Sequence, residues 1–159
     1  MNNFNNKVAV ITGAGGGIGR EMALQLAREG CHLALADVNQ KGLDESVELL
    51  KPVCEKNGVR VSCHIVDVTD RQRMASLPEE VINAHGAVNL LVNNAGITLQ
   101  SSFEDLSIEH WELVIGINLW GVIYGTKAFL PYLKEQSKKG PDNAHIINMS
   151  SLAGFIGMP

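Results

Sequence analysis

Positive charge is scarce in this sequence. Thirteen Lys and Arg stand against seventeen Asp and Glu, a formal net charge of −4. No basic footprint exists for a phosphate backbone, so a nucleic-acid partner is not expected. Cysteine is almost absent as well. Cys31, Cys54 and Cys63 are odd in number and far apart, with no CxxC pair. They exclude a disulfide framework and a zinc site, and read as small buried hydrophobes of a reducing, cytoplasmic compartment. The five histidines, at 32, 64, 85, 110 and 145, are scattered and lack ligand spacing, so no metal is expected. No secretory leader is expected either: Met1 to Asn6 is polar and runs directly into the first strand. Asn148-Met149-Ser150 matches a glycosylation sequon but ends a strand expected to be buried, and is set aside. Long hydrophobic runs are limited to Leu113–Leu133. Asn118 and Lys127 interrupt it, Pro131 lies near its end, and strand-like segments flank it. It reads as a helix buried inside an α/β domain rather than a membrane span, with Gly121 and Gly125 allowing close packing.

What is present is a glycine-rich turn with strong flanks. Thr12-Gly13-Ala14-Gly15-Gly16-Gly17-Ile18-Gly19 follows the apolar run Val8–Ile11 and precedes an amphipathic stretch, Arg20–Glu29. A strand, a glycine turn and a helix together present unpaired backbone N–H groups and a helix dipole to an anion. The spacing departs from GxGxxG and fits Thr-Gly-x-x-x-Gly-x-Gly, with glycines at 13, 17 and 19.

The rest of the 159 residues alternates strand and helix as one domain, 1–159. Strands are predicted at 7–12, 31–37, 60–66, 88–92 and 145–149. Helices are predicted at 18–29, 41–56, from a Thr69-x-x-Gln72 capping box to His85, and from Ser107 to about 138–140. Gly30 should stop the first helix, and Pro52 should kink or end the second early. Right-handed crossovers then imply an α/β fold, a Rossmann-type doubly wound parallel sheet of order 3-2-1-4-5. Its ligand should sit at the C-terminal ends of strands one and four, where the order reverses.

Asp37 closes the second strand, 18 residues after Gly19. A carboxylate there accepts hydrogen bonds from the adenosine ribose hydroxyls and repels a 2′-phosphate. No Lys or Arg stands at 14–17 or directly after Asp37, which favours NAD over NADP.

Four motifs in order carry a family resemblance: Thr12 to Gly19, Asp67-Val68-Thr69, Asn93-Asn94-Ala95-Gly96, and Ile147-Asn148-Met149-Ser150-Ser151. The chain resembles the short-chain dehydrogenase/reductase family. The resemblance implies that Gly13, Gly17, Ile18 and Gly19 hold the cofactor, that Asp67 and Val68 meet the adenine, and that Asn94, Ala95 and Gly96 lie along the cofactor. It implies a catalytic role for Asn118, which holds a water of the proton relay, and for Ser151, which steadies the substrate oxygen. The family's Tyr-x-x-x-Lys, roughly thirteen residues past the serine, is not found before Pro159. Tyr124 and Tyr132 have no lysine four residues on. The expectation is an N-terminal portion of a chain of about 250 residues, or a truncated gene product, lacking the last strands of the sheet. An edge strand at 145–149 and an uncovered helix face bearing Trp111, Ile115 and Leu119 would follow. The implied parent moves a hydride between an alcohol or carbonyl substrate and nicotinamide, and is a homo-oligomer. The alternative is a non-catalytic dinucleotide-binding or interaction module.

Overall fold

A computed structural model describes residues 3–152. The strands are β1 (Val8–Thr12), β2 (His32–Asp37), β3 (Val61–Ile65), β4 (Leu90–Asn93) and β5 (His145–Asn148). They form one sheet of order β3-β2-β1-β4-β5, every pairing parallel. The helices are α1 (Gly17–Arg28), α2 (Gln40–Asn57), α3 (Arg71–His85), α4 (Ile108–Ile115) and α5 (Val122–Ser137).

Alternation along β1 sorts the core onto two faces. Ala9 and Ile11 pack with Leu33 and Leu35, with Ala23 and Ala27 of α1, and with Leu43 and Leu50 of α2. Val8 and Val10 pack with Ala34 and Ala36, with Met74, Leu77 and Val81 of α3, and with Phe129 and Leu133 of α5. A strand covered on both faces needs apolar residues at every position, which explains the uninterrupted run in β1 and β2.

Several expectations need correction. α2 runs through Pro52 to Asn57. Val53 and Cys54, beyond the proline, still pack on the core, and that burial outweighs the missing hydrogen bond. The cap of α3 is Asp70, whose carboxylate accepts from the backbone N–H of Gln72 (2.8 Å) and Arg73 (3.0 Å). Thr69 is instead drawn to Asp67 by its N–H and its hydroxyl. The long last helix is interrupted: Gly116–Gly121, between α4 and α5, is π-helical. Nor is it buried throughout. Gly121, Gly125, Phe129 and Leu133 face the protein, whereas Leu113, Ile115, Leu119 and Trp120 are exposed. Ile108–Ser137 is long and apolar enough to cross a membrane, yet one side of it is laid on the sheet. The two glycines make that approach possible: a Cβ on Gly121 would lie 2.8 Å from Val68, and one on Gly125 2.4 Å from the Asn93 side chain. β5 is a half-exposed edge among the described residues, so burial gives no reason to dismiss Asn148 as a sequon. Cys31 is buried and its thiol is pushed up to about 12 by that burial, but Cys63 is exposed. The helix face expected to be bare holds for Ile115 and Leu119, while Trp111 is half-covered against Phe103.

The histidines are scattered in sequence but not in space. His32 and His85 stack with ring centroids 6.3 Å apart. The Ser62 hydroxyl lies 2.8 Å from Nε2 of both His64 and His85, and His64 Nδ1 lies 2.9 Å from Glu80. Arg73 grips the same carboxylate through both terminal nitrogens. When His64 is neutral, the Glu80 carboxylate fixes its proton on Nδ1, and His64 Nε2 accepts from the Ser62 hydroxyl. The Ser62 oxygen then accepts from His85 Nε2, and His85 Nδ1 is a bare nitrogen, buried without a partner among the described residues. Burial first, and then Arg60, His32 and His64, lower the His85 pKa to about 4. Burial raises the Glu80 carboxyl, but the bonds from Arg73 and His64 outweigh it and hold it below its ordinary value.

These shifts set a sign. The unfolded chain protonates His85 near 6.5 while the folded chain resists down to about 4, so stability falls as pH drops through that window. Glu80 loses its contribution only below its ordinary 4.5. The thermal midpoint should therefore fall between pH 6.5 and 4, by about 2–4 °C for each ~1 kcal/mol lost in a chain of this size. His85→Gln should flatten that fall and leave the loss at lower pH. Circular dichroism melts across the range check both halves.

Candidate dinucleotide site

The β1–α1 turn is shaped by what it lacks. Gly13 (φ 67°) and Gly17 (φ 51°) adopt the left-handed region that side chains avoid. A Cβ on Gly13 would fall 2.9 Å from the Ala95 Cα, and one on Gly19 would fall 2.2 Å from the Gly13 carbonyl oxygen. Gly19 is thus required for α1 to pack against the end of β1. Gly17 meets nothing within 4 Å, and its role is conformational. Residue Gly16 caps α1 without a side-chain hydrogen bond, and no acidic residue stands in the first turn. By contrast α2, α3 and α4 are capped by the side chains of Asn39, Asp70 and Ser107. The N–H groups at the start of α1 are the ones left for an anion.

Opposite this turn, β4 ends in Asn93 and the chain turns through Asn94, Ala95 and Gly96. The Thr12 hydroxyl accepts from the N–H of Asn94 and of Ala95, each at 3.0 Å. The Asn94 amide donates to the carbonyls of Thr12 (2.9 Å) and Gly13 (3.3 Å). Asn118 lies on the π-helical segment. Its Oδ1 accepts from the Ile97 N–H (2.9 Å) and its Nδ2 donates to the Ile97 carbonyl (2.8 Å). A single π-helical turn at such a position is a common feature of functional sites.

At the far end Asp37 accepts from the Gly15 N–H (2.8 Å) through one oxygen and from the Asn39 N–H (2.9 Å) through the other. A carboxylate offers about four lone-pair sites, so two stay available for hydroxyl donors. Asp67 accepts from the Thr69 N–H and hydroxyl at Oδ1.

Two cavities meet over the strand ends. One, of about 610 Å³, is bounded by Ile18, Asn94, Asn118, Val122, Ser150 and Ser151. The other, of about 350 Å³, is bounded by Gly13, Asp37, Asp67, Val68, Leu113 and Ile117. Ala95, Gly96 and Ile97 belong to both, so a single cleft runs from Asp37 to Ser151 across the point where the strand order reverses. Ten of the twelve residues singled out from sequence line it directly; Gly17 and Gly19 shape the turn instead. Ala153 and Gly154, which follow the serine pair, lie outside the described residues.

A long cleft with a glycine turn at its middle and an acid at one end is the arrangement a dinucleotide needs. Comparison with known proteins agrees. The family model described as short chain dehydrogenase matches residues 7–159.

The chain belongs to the short-chain dehydrogenase family.

Its relatives include SadH of Mycobacterium tuberculosis, 38% identical over 159 residues, which cover all of this chain and 54% of that protein. The 3-oxoacyl-(acyl-carrier-protein) reductase FabG of Thermotoga maritima is 36% identical over 155 residues, covering 96% of this chain and 58% of that protein. A solved short chain dehydrogenase/reductase from Burkholderia phymatum, in complex with NAD, superposes with a TM-score of 0.89 at 36% identity. It matches 100% of this chain and 54% of its own. The chain therefore spans little more than half the length of these relatives.

Three residues that shape this short-chain dehydrogenase cleft have partners that spacing does not name. Thr12 closes β1 and heads the glycine motif, and its hydroxyl holds two amides of the facing turn. Gly15 lies so near Asp37 that a Cβ would sit 2.9 Å from the carboxylate. Ile97 is the backbone partner of Asn118. A glycine between glycines and a threonine closing a strand were the only signals, and neither names its partner. Gly19→Ala should cost about 1–3 kcal/mol, because the atom it meets is backbone and cannot yield. Gly16→Ala, in extended backbone with open space around it, should cost less. Denaturant midpoints of the two variants test the difference.

Proposed function

We propose that this chain is the NAD-binding part of an oxidoreductase that moves a hydride between an alcohol carbon and nicotinamide, with a carbonyl as the oxidised product. The observation that carries it is the pairing of an uncapped, glycine-cradled helix N-terminus with Asp37 at the other side of the turn. The Gly13–Ile18 backbone and the first turn of α1 hold the diphosphate. Asp37 accepts from the adenosine ribose hydroxyls, and its charge turns away a 2′-phosphate, so NAD is preferred to NADP. Asp67 and Val68 bound the adenine end. Bound NAD supplies the hydride acceptor.

At the other end Ser151 steadies the substrate oxygen by its hydroxyl. Asn118 spends one acceptor and one donor on Ile97 and keeps a second lone pair and a second N–H for a water. The substrate is a small alcohol or carbonyl compound. Exposed Leu119, Trp120, Ile147 and Met149 support burial against another protein surface, as in a homo-oligomer.

Within these residues neither tyrosine is followed four positions on by lysine, so the motif that pairs a phenol with an ammonium to take the alcohol proton is not found among them. The 159 residues by themselves should bind NAD and oxidise no alcohol. Calorimetric titration should show NAD bound more tightly than NADP. Asp37→Ala should weaken NAD about tenfold or more, the worth of one or two hydrogen bonds to a charged group. A folded chain silent toward NAD overturns the proposal.

A further inference from the structure

The glycine turn is braced by a residue that does not line the cleft. Arg20, in the first turn of α1, reaches across to α2. Its Nη2 lies 2.6 Å from the Gly15 carbonyl oxygen, 3.1 Å from that of Gly42 and 3.0 Å from Glu45 Oε2. Its Nε donates to the Ser46 hydroxyl at 2.9 Å. Ser46 is fully buried, and its own proton is shared between the carbonyls of Ala14 (2.8 Å) and Gly42 (2.9 Å). Helix α2 comes so near that a Cβ on Gly42 would stand 2.5 Å from the Gly15 oxygen.

The Gly15 residue is therefore held from both ends. Its carbonyl accepts from Arg20, while its N–H donates to Asp37. Arg20 borders neither cavity of the cleft. Its positive charge is matched by Glu45 and by carbonyl dipoles. A guanidinium suits this task because its planar fork satisfies several acceptors at once, which an ammonium on a flexible stem does less well.

We infer that Arg20 is a positioning residue for cofactor selection: by fixing the Gly15 peptide it sets the orientation in which Asp37 meets the adenosine ribose. The inference rests on the NAD reading above and deepens it. Without the brace, the glycine turn keeps its backbone freedom, the Gly15 N–H leaves the carboxylate, and Asp37 turns more freely toward solvent. Affinity for NAD should fall more than affinity for NADP, because the preference for a free 2′-hydroxyl over a 2′-phosphate depends on where the carboxylate points.

The test is a double-mutant cycle read as Kd for NAD and for NADP. Arg20→Met should weaken NAD about tenfold, the order expected from losing hydrogen bonds to a charged donor, and NADP less, so the preference for NAD shrinks. Arg20→Lys should recover part of the preference. In an Asp37→Asn background the preference should already be gone, and Arg20→Met should not alter the ratio further. Should Arg20→Met fail to fold, Glu45→Gln releases the exposed end of the brace and should lower the ratio by about twofold to threefold, a smaller fraction of the same coupling. An unaltered ratio in the folded Arg20 variant, or in Glu45→Gln where it stands in, sinks the inference. So does the same change of ratio in both backgrounds. A wild-type chain that ignores NAD overturns the NAD reading as well. A wild-type chain whose preference vanishes with Asp37→Asn but survives Arg20→Met overturns this inference alone.

Discussion

The approach of Gly19 to the carbonyl of Gly13 governs the rest of the cleft. No side chain larger than hydrogen fits there, since a Cβ would lie 2.2 Å from a backbone oxygen. This contact brings the N-terminus of α1 directly over the end of β1. Every other feature of the site takes its position from that junction. The Asn94 amide bonds to the carbonyls on either side of it, and the Thr12 hydroxyl ties the β4 turn to it. The Asp37 carboxylate holds the next N–H in line. Helix dipole, free amides and acid converge because one glycine lets two backbone segments touch.

A second constraint acts at the other end of the cleft. An uninterrupted α-helix from Ser107 to Ser137 would have carried Asn118 through with a regular rise. The π-helical turn at Gly116–Gly121 widens the helix there, and Asn118 pairs with both backbone groups of Ile97. Neighbouring glycines pull the same helix onto the sheet, where Gly121 and Gly125 meet Val68 and Asn93. One side of the helix is thus committed to the cleft and the core, while its other side carries Leu119 and Trp120 outward. The apolar run seen in the sequence serves two surfaces, which is why its hydropathy resembled a membrane span.

Much of this could be read from residues alone, for reasons that differ by element. Strands β1 and β2 announced themselves because two-sided burial forces a continuous apolar run. The glycine turn was legible because φ above zero and close approach leave only one residue type. Asp37 was legible by its distance from the turn. Other features were hidden because their signal lies in a partner. Asp70 displaced Thr69 as a cap once Asp67 had taken the threonine, a competition between neighbours that spacing does not rank. Pro52 failed to stop α2 because apolar contacts beyond it cost more to give up than one hydrogen bond. His32, His64 and His85 looked unrelated until β2, β3 and α3 brought them beside Ser62 and Glu80.

By itself the sequence determined the order of strands and helices, the place of the glycine turn, and the acid that stands opposite it. Those features depend on local backbone preference and on the periodicity of burial, both written along the chain. Only the tertiary structure decided which side chains meet: Thr12 with the β4 turn, Asn118 with Ile97, Arg20 with α2, and two histidines with one serine. Most of these pairings depend on distances between segments far apart in sequence. Side-chain chemistry says what a residue can bond, and packing of the sheet against its helices settles what lies within reach.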